Sequence, residues 1–252
     1  MLEFGLEGLL VLLAAGFFAG FVDAIAGGGG LITLPALMIA GVPPVAALAT
    51  NKIQGMFGSG TAAYSYAKSG LVNLREQLLP AGLAFVASLA GALLVSVLPT
   101  EWIRLILPVL LIGIALFFAF RKDPGDMDKT ARLSPLAFTW TAVPIVGAYD
   151  GLLGPGAGSF YMIAFVALGG YGILKATAHT KLLNFASNVG GLAGFMLVAE
   201  PLWAIGLAMG VMQMFGAALG AKMAMTKGAS LIRPLLVATS MVLALKLLWD
   251  VL

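Results

Sequence analysis

Apolar residues run through this chain in long blocks, and polar positions interrupt them only briefly. About 30 Å of hydrocarbon takes about 20 helical residues, so blocks of roughly 17–25 residues are the unit to count. They predict spans at 6–26, 44–67, 77–98 and 102–120, then at 136–152, 173–198, 202–223 and 230–249. Two shorter apolar pieces, 31–41 and 158–169, follow glycine-rich breaks and are too short to cross comfortably alone. The expected fold class is all-α, a polytopic transmembrane helix bundle of about eight spans plus two short broken-helix segments. The sizeable polar stretch 121–134 lies near the middle and reads as a solvated connector. The chain then divides into a first transmembrane repeat (1–121), a cytoplasmic linker (122–135) and a second transmembrane repeat (136–252).

The two halves echo each other. Gly20, Asp23, Gly27 and Gly29 recur as Gly147, Asp150, Gly154 and Gly156 at constant spacing. Ala49-Thr-Asn-Lys52 is answered by Ala178-His-Thr-Lys181 after a two-residue slip. Glycines alone would mean little in a glycine-rich chain, whereas an Asp and a Lys recurring inside apolar segments argue for duplication. Basic residues gather in three loops: Lys68 and Arg75; Arg121, Lys122, Lys129 and Arg132; Lys222, Lys227 and Arg233. Acids mark the N-terminus and the turns at Thr100–Glu101 and Glu200–Pro201, with Arg104 just beyond the first of these. The positive-inside rule places the three basic loops in the cytoplasm and both termini outside. The halves then start on opposite faces, which requires an odd number of crossings per half and makes the repeats inverted, as in many secondary transporters. On this reading the short pieces cross; if they only re-enter, the repeats become parallel.

Composition narrows the function classes. Of 252 residues 61% are hydrophobic and 10% charged, where a soluble domain carries about a quarter charged. The missing charge means an outer surface that faces lipid. Glu3 and Glu7 without a Lys or Arg do not fit the start of a cleaved signal, so the first block is read as a retained span. There are no cysteines, and His179 is the single histidine. Thiol chemistry and a histidine metal centre are therefore not expected. No cofactor and no nucleic-acid partner are expected either; the expected partners are the lipid bilayer and a small anion. The stretch Gly216-Ala-Ala-Leu-Gly220 suits close helix contact, within one chain or between copies of a homo-oligomer.

Three constellations could carry chemistry. The breaks Gly27-Gly-Gly-Gly30 and Gly151-Leu-Leu-Gly-Pro-Gly-Ala-Gly158 interrupt the helical ladder. Backbone freed at membrane depth is tolerated only in protein or beside a water-filled cavity, and helix N-termini that start there suit an anion. A tight turn between packed helices is the alternative. Lys52 and Lys181 each lie about eight residues, roughly 12 Å, into their spans, too deep for easy snorkelling. They face either a cavity or an ion-pair partner. Asn184 and Asn188 share the face of Lys181, as Gly55 and Ser59 share that of Lys52, and lysine with amide and hydroxyl groups is what a small oxyanion needs. Asp23 and Asp150 lie on stripes of small residues and look into the bundle, either balancing the lysines or carrying protons. His179 points away from Lys181 and reads as a satisfied core histidine; Trp102, Trp203 and Trp249 read as interfacial anchors.

The stretch from Gly16 to Pro35, GFFAGFVDAIAGGGGLITLP, followed by Ala49–Lys52, resembles the sulfite exporter TauE/SafE family of membrane permeases. Gly147–Gly158 resembles that family's second repeat, and the likeness covers nearly the whole chain. The resemblance implies a transporter in the bacterial cytoplasmic (inner) membrane for small sulfur-containing anions such as sulfite or sulfonates, rather than an enzyme. A passive anion channel and a membrane-embedded assembly factor or enzyme are the other readings. Positions carried over are Asp23, Gly27, Gly28, Gly29, Gly30, Asn51 and Lys52, then Asp150, Gly154, Gly156 and Lys181. His179-Thr180 stands where the first repeat has Thr50-Asn51. The expected substrate-binding set is these glycines with Asn51, Lys52, Lys181, Asn184 and Asn188; Asp23 and Asp150 are expected to balance charge or couple.

Overall fold

The structure is a computed structural model that describes residues 5–95, 127–232, 234, 235, 237, 238 and 241. The predicted span 102–120, most of 230–249, the turn at Thr100–Glu101, Arg104, Trp102 and Trp249 lie outside the described residues. Every regular element among the described residues is helical. The first half contains α1 (Leu6–Ala26), α2 (Gly30–Ile39), α3 (Pro44–Lys68) and, after a short 3₁₀ turn at Leu74–Gln77, α4 (Leu78–Leu94). The second contains α5 (Pro135–Trp140), α6 (Ala142–Leu152), α7 (Ala157–Ala167), α8 (Ile173–Val198) and α9 (Trp203–Lys227).

The boundaries have local causes. Gly27, at φ +80°, closes α1 in the left-handed conformation, and its N–H bonds the Asp23 carbonyl at 2.9 Å. Pro44 opens α3 at a position where no N–H is needed. Ser134 caps α5 by accepting the Ala137 N–H at 3.2 Å. The predicted span 136–152 is divided at Thr141 because Pro144 has no N–H for the Trp140 carbonyl and its ring crowds that turn.

α1, α4 (with its 3₁₀ lead-in), α8 and α9 are long and apolar enough to cross a membrane. α3 has 25 residues but is too polar to join them; its Thr50, Asn51, Lys52, Gln54 and Ser59 are all buried. Outward faces carry Leu10, Phe18, Val86, Ile145, Leu197 and Phe215, all more than half exposed. With polar groups inside and apolar ones outside, the chain is a multi-pass membrane protein.

The halves exchange partners. α1 packs on α9 and its counterpart α6 packs on α4; α3 packs on α9 and its counterpart α8 on α4. Small residues bring the backbones together: Gly216 and Gly220 abut Phe17 and Phe21, while Gly91 and Gly151 abut Ala148 and Ser88. The Gly216–Gly220 stripe is thus used within the chain. α3 and α8 run antiparallel. Thr50, near the start of α3, accepts the N–H of Leu202 beyond the end of α8, and Gln77, beyond the end of α3, donates to the carbonyl of His179 near the start of α8.

Whether the short pieces cross or re-enter is open from length, and both fold back on the helix before them. α2 folds back along α1, with Gly29 against Ala19 and with Leu34 and Leu37 in one apolar cluster with Leu12. α7 folds back along α6 and α5: the Tyr149 and Phe160 rings lie 4.8 Å apart, those of Phe138 and Phe165 4.6 Å apart, and Tyr161 reaches Val143. Each hairpin turns the chain back toward the side from which it came. The antiparallel relation of α3 and α8 therefore does not require the short pieces to cross.

The connector is docked rather than free over its described part. Lys129 N–H bonds Gly170 O at 2.6 Å and Arg132 N–H bonds Leu168 O at 2.8 Å. Asp128 accepts the Gly172 N–H at 2.9 Å and pairs with Lys175 at 2.5 Å. The Lys175 hydrogen bond, with the Gly172 N–H, holds the Asp128 carboxyl below its usual range. A lowered folded-state value stabilises above the unfolded chain's pKa and is lost as pH falls through the folded one. Asp128→Asn should lower the detergent melting temperature slightly at pH 7, in keeping with a surface pair worth about 0–1 kcal/mol. That difference should shrink on acidification to about pH 3. A gap between the two proteins that stays constant with pH would refute the assignment.

Candidate functional site

The two glycine breaks lie against each other at the centre of the bundle. Gly27 packs directly on Gly158 and Ser159, and the Ser159 hydroxyl donates to the Ala26 carbonyl at 2.7 Å. A cavity of about 20 Å³ lies there, lined by both aspartates, both breaks, Asn51, Gly55, Asn184, Asn188 and Gln213. It has room for about one water. That volume is too small for an oxyanion with several heavy atoms.

Asp23, Gly27, Gly29, Gly30, Asn51, Asp150, Gly154, Gly156, Asn184 and Asn188 all reach the cavity wall. Gly28, Lys52 and Lys181 do not. Both lysines are fully buried, each held by the opposite half. Lys52 Nζ donates to the Asp150 carboxylate at 2.6 Å and also to its main-chain carbonyl. Ser187 donates to the other Asp150 oxygen, and Ser88 donates to the Ser187 carbonyl at 2.6 Å. Lys181 donates to the main-chain carbonyl of Asp23. The Asp23 carboxylate instead receives the Gly29 N–H at 3.3 Å and Asn184 Nδ2 at 3.5 Å. Each ammonium thus stands one layer behind the wall.

What faces the cavity is a set of donors. Gly30 and Gly158 sit in the first turns of α2 and α7, where backbone N–H groups have no intrahelical acceptor. Neither N–H has an acceptor among the described residues. The Asn51 oxygen is taken by the Thr33 hydroxyl at 2.6 Å and by Gln54 at 3.3 Å, which leaves its amide N–H groups beside Gly30. Gln213, 2% exposed on α9, lines the cavity with no side-chain partner among the described residues. Sequence reasoning missed Gln213. The available signal was an amide within the apolar run Gly206–Gly220, at the position on α9 corresponding to Ala84 on α4. Gly154, at φ +87°, is the second place where glycine is required: a Cβ there would stand 3.0 Å from Lys52 Nζ and 3.3 Å from the Asp150 carboxylate.

A larger cavity of about 410 Å³ opens toward the end that carries Lys129 and Arg132, lined by Asn73, Glu76, Gln77, Phe138, Thr139, Phe165, Tyr171 and His179 among others. His179 bonds the Lys175 carbonyl at 3.0 Å and packs edge-on to Tyr171 and Phe165, as a satisfied histidine would. At the corresponding place in the first half, Leu12, Leu34, Leu37, Val42, Ala47 and Met209 close into a packed cluster.

A protein-family model, Sulfite exporter TauE/SafE, matches residues 12–247. The chain is 53% identical over 242 residues to Probable membrane transporter protein ORF9 of Sinorhizobium sp, covering 96% of this chain and 93% of that protein. It is 47% identical over 240 residues to Probable membrane transporter protein YfcA of Escherichia coli strain K12, covering 95% and 89%. A Probable membrane transporter protein of Haemophilus influenzae is 43% identical over 249 residues, covering 99% and 98%. No solved structure matches the chain. The match over nearly the full length takes in both Asp–Gly motifs and both buried lysines, and the chain belongs to the sulfite exporter TauE/SafE family.

Proposed function

We propose that the protein is a secondary transporter of small anions, sulfur-containing ones such as sulfite or sulfonates foremost, working by alternating access. One observation carries the reading: two half-helices, α2 and α7, begin at the same central cavity with bare N–H groups. Helix N-termini carry partial positive charge and stabilise anions, and opposed broken helices at a central site are a transporter design. Gly30 and Gly158 N–H, Asn51 and Gln213 would donate to the substrate, with Asn184 and Asn188 shaping the wall. Lys52 and Lys181 would act from behind, holding Asp150 and Asp23 and the breaks that precede α7 and α2.

The two ends of the molecule support alternation. The end near Lys129 and Arg132 holds the open vestibule, while the equivalent end of the first half is packed shut. Exchanging these arrangements between inverted repeats would move access from one face to the other. By the positive-inside rule the basic loops would turn the open end toward the cytoplasm of an inner membrane. A passive channel would need a continuous path wide enough for the anion, and the central space holds about one water.

The reading is tested by thermal shift of purified protein against sulfite, thiosulfate, methanesulfonate, acetate and uncharged dimethyl sulfone. A true ligand at 100 times its Kd should stabilise by about 2.7 kcal/mol. Gln213→Leu should reduce that shift while leaving the ligand-free melting temperature nearly unchanged. If no anion stabilises the protein, or dimethyl sulfone does so equally, the anion-carrier reading fails.

A further inference from the structure

The four charges around the central cavity cancel in number, but they are not arranged alike. Lys52 and Asp150 form a closed ion pair, braced by Ser187. On the other side the Lys181 ammonium donates to Asp23's own main-chain carbonyl and acts on the Asp23 carboxylate only at longer range, so no cation pairs with that carboxylate directly among the described residues. That carboxylate keeps two long hydrogen bonds and lines the cavity. An anion seated on the N–H groups of α2 and α7 would share a small space with it. Like charges at such range in a water-poor cavity repel strongly.

Resting on the anion-carrier reading above, we propose that Asp23, and not Asp150, is the coupling carboxylate: it takes up one proton with each anion and releases it when the anion leaves. The proton comes from water on the loading side and adds to a carboxylate oxygen of Asp23. The neutral carboxyl then presents an O–H donor to the substrate, and on release the proton returns to water on the far side. A singly charged anion therefore moves with one proton and no net charge. Asp150 is unsuited to this role because protonating it would strand Lys52 without a counter-charge.

The groups that face Asp23 from its neighbours are few. α8 brings Lys181 and Asn184, and α3 brings Tyr66, whose hydroxyl donates to the Ala24 carbonyl at 2.9 Å. α6 brings Asp150 across the cavity, already held by Lys52. α7 carries Tyr161, turned to Val143. α2 carries no ionisable residue, and α9 brings Gln213 to the cavity, with Lys222 and Lys227 in its last turns. Asp23 is thus the carboxylate at the cavity left without an ion-pair partner.

The test uses methanesulfonate, which stays ionised between about pH 5 and 8, with purified protein and with sealed proteoliposomes. In wild type the apparent Kd should tighten up to about tenfold per pH unit as pH falls, as one-proton linkage requires. Uptake should follow an inward proton gradient and ignore an imposed membrane potential. Asp23→Asn imitates the protonated form: it should bind with little pH dependence and exchange anion for anion, yet lose gradient-driven accumulation. Asp150→Asn should lose both and melt lower. The proposal is overturned if Asp23→Asn still accumulates substrate down a proton gradient, if wild-type binding is independent of pH, or if sodium replaces the proton. If wild type binds none of the anions, the anion-carrier reading itself falls and this one with it; anion binding without proton linkage removes the coupling role alone.

Discussion

Lys52→Ala should leave a protein that melts far below wild type and transports nothing. The substitution removes the cation that Asp150 pairs with at 2.6 Å, in a place where both side chains are almost fully buried. Breaking a buried pair by deleting one partner typically costs about 3–5 kcal/mol, because the remaining charge has neither water nor a counter-ion. Ser187 alone cannot replace the ammonium. The check is the detergent melting curve of Lys52→Ala beside that of the double variant Lys52→Met/Asp150→Leu. With both charges gone the double variant should recover most of the stability while remaining inactive. If Lys52→Ala melts with wild type, the pair is not holding the halves together. Lys181→Ala should be milder, since it removes a hydrogen bond to a carbonyl and a longer-range attraction to Asp23 rather than a direct ion pair.

Gly27→Ala should disrupt the contact between the two breaks. The backbone stands at φ +80°, where an L-residue costs about 1–2 kcal/mol. Its Cβ would also fall on the backbone of Gly158 and Ser159, which cannot rotate out of the way as a side chain can. Overpacking adds about 1–3 kcal/mol, so the total is roughly 2–5 kcal/mol. Gly41→Ala is the matched control, with φ +87° but nothing within 4 Å of the added methyl. Measured by thermal melting, Gly27→Ala should fall well below Gly41→Ala. Equal losses would mean that the breaks do not press on each other.

Much of this architecture can be read before any coordinates. α1 and α8 begin and end at the predicted residues, because their helical stretches are bounded by glycine or by the polar turn before Pro201. Asp23, Asp150 and the breaks stand out because polar groups and glycine runs inside apolar blocks must meet something at depth. Three features are hidden for physical reasons. The break at Thr141 depends on one proline whose apolar neighbours mask it. Gln213 is a lone amide among glycines, and only the approach of α1 and α3 gives it a cavity to line. Which aspartate serves which lysine is invisible because each partner comes from the other half, 98 residues away for Lys52 and 158 for Lys181. Nothing in either motif distinguishes the closed pair from the open one.

The polarity of α3 has a consequence for how the protein is made. A nascent helix bearing Lys52 meets the translocon long before Asp150 is synthesised, and a central Lys opposes insertion by about 2.5–3.5 kcal/mol. The neighbouring Asn51 and Gln54 worsen that balance. The amino-terminal half therefore lacks a stable resting place in lipid by itself, and α3 must wait in the insertion machinery, or shelter against α1 and α2, until the carboxyl-terminal half emerges to receive it.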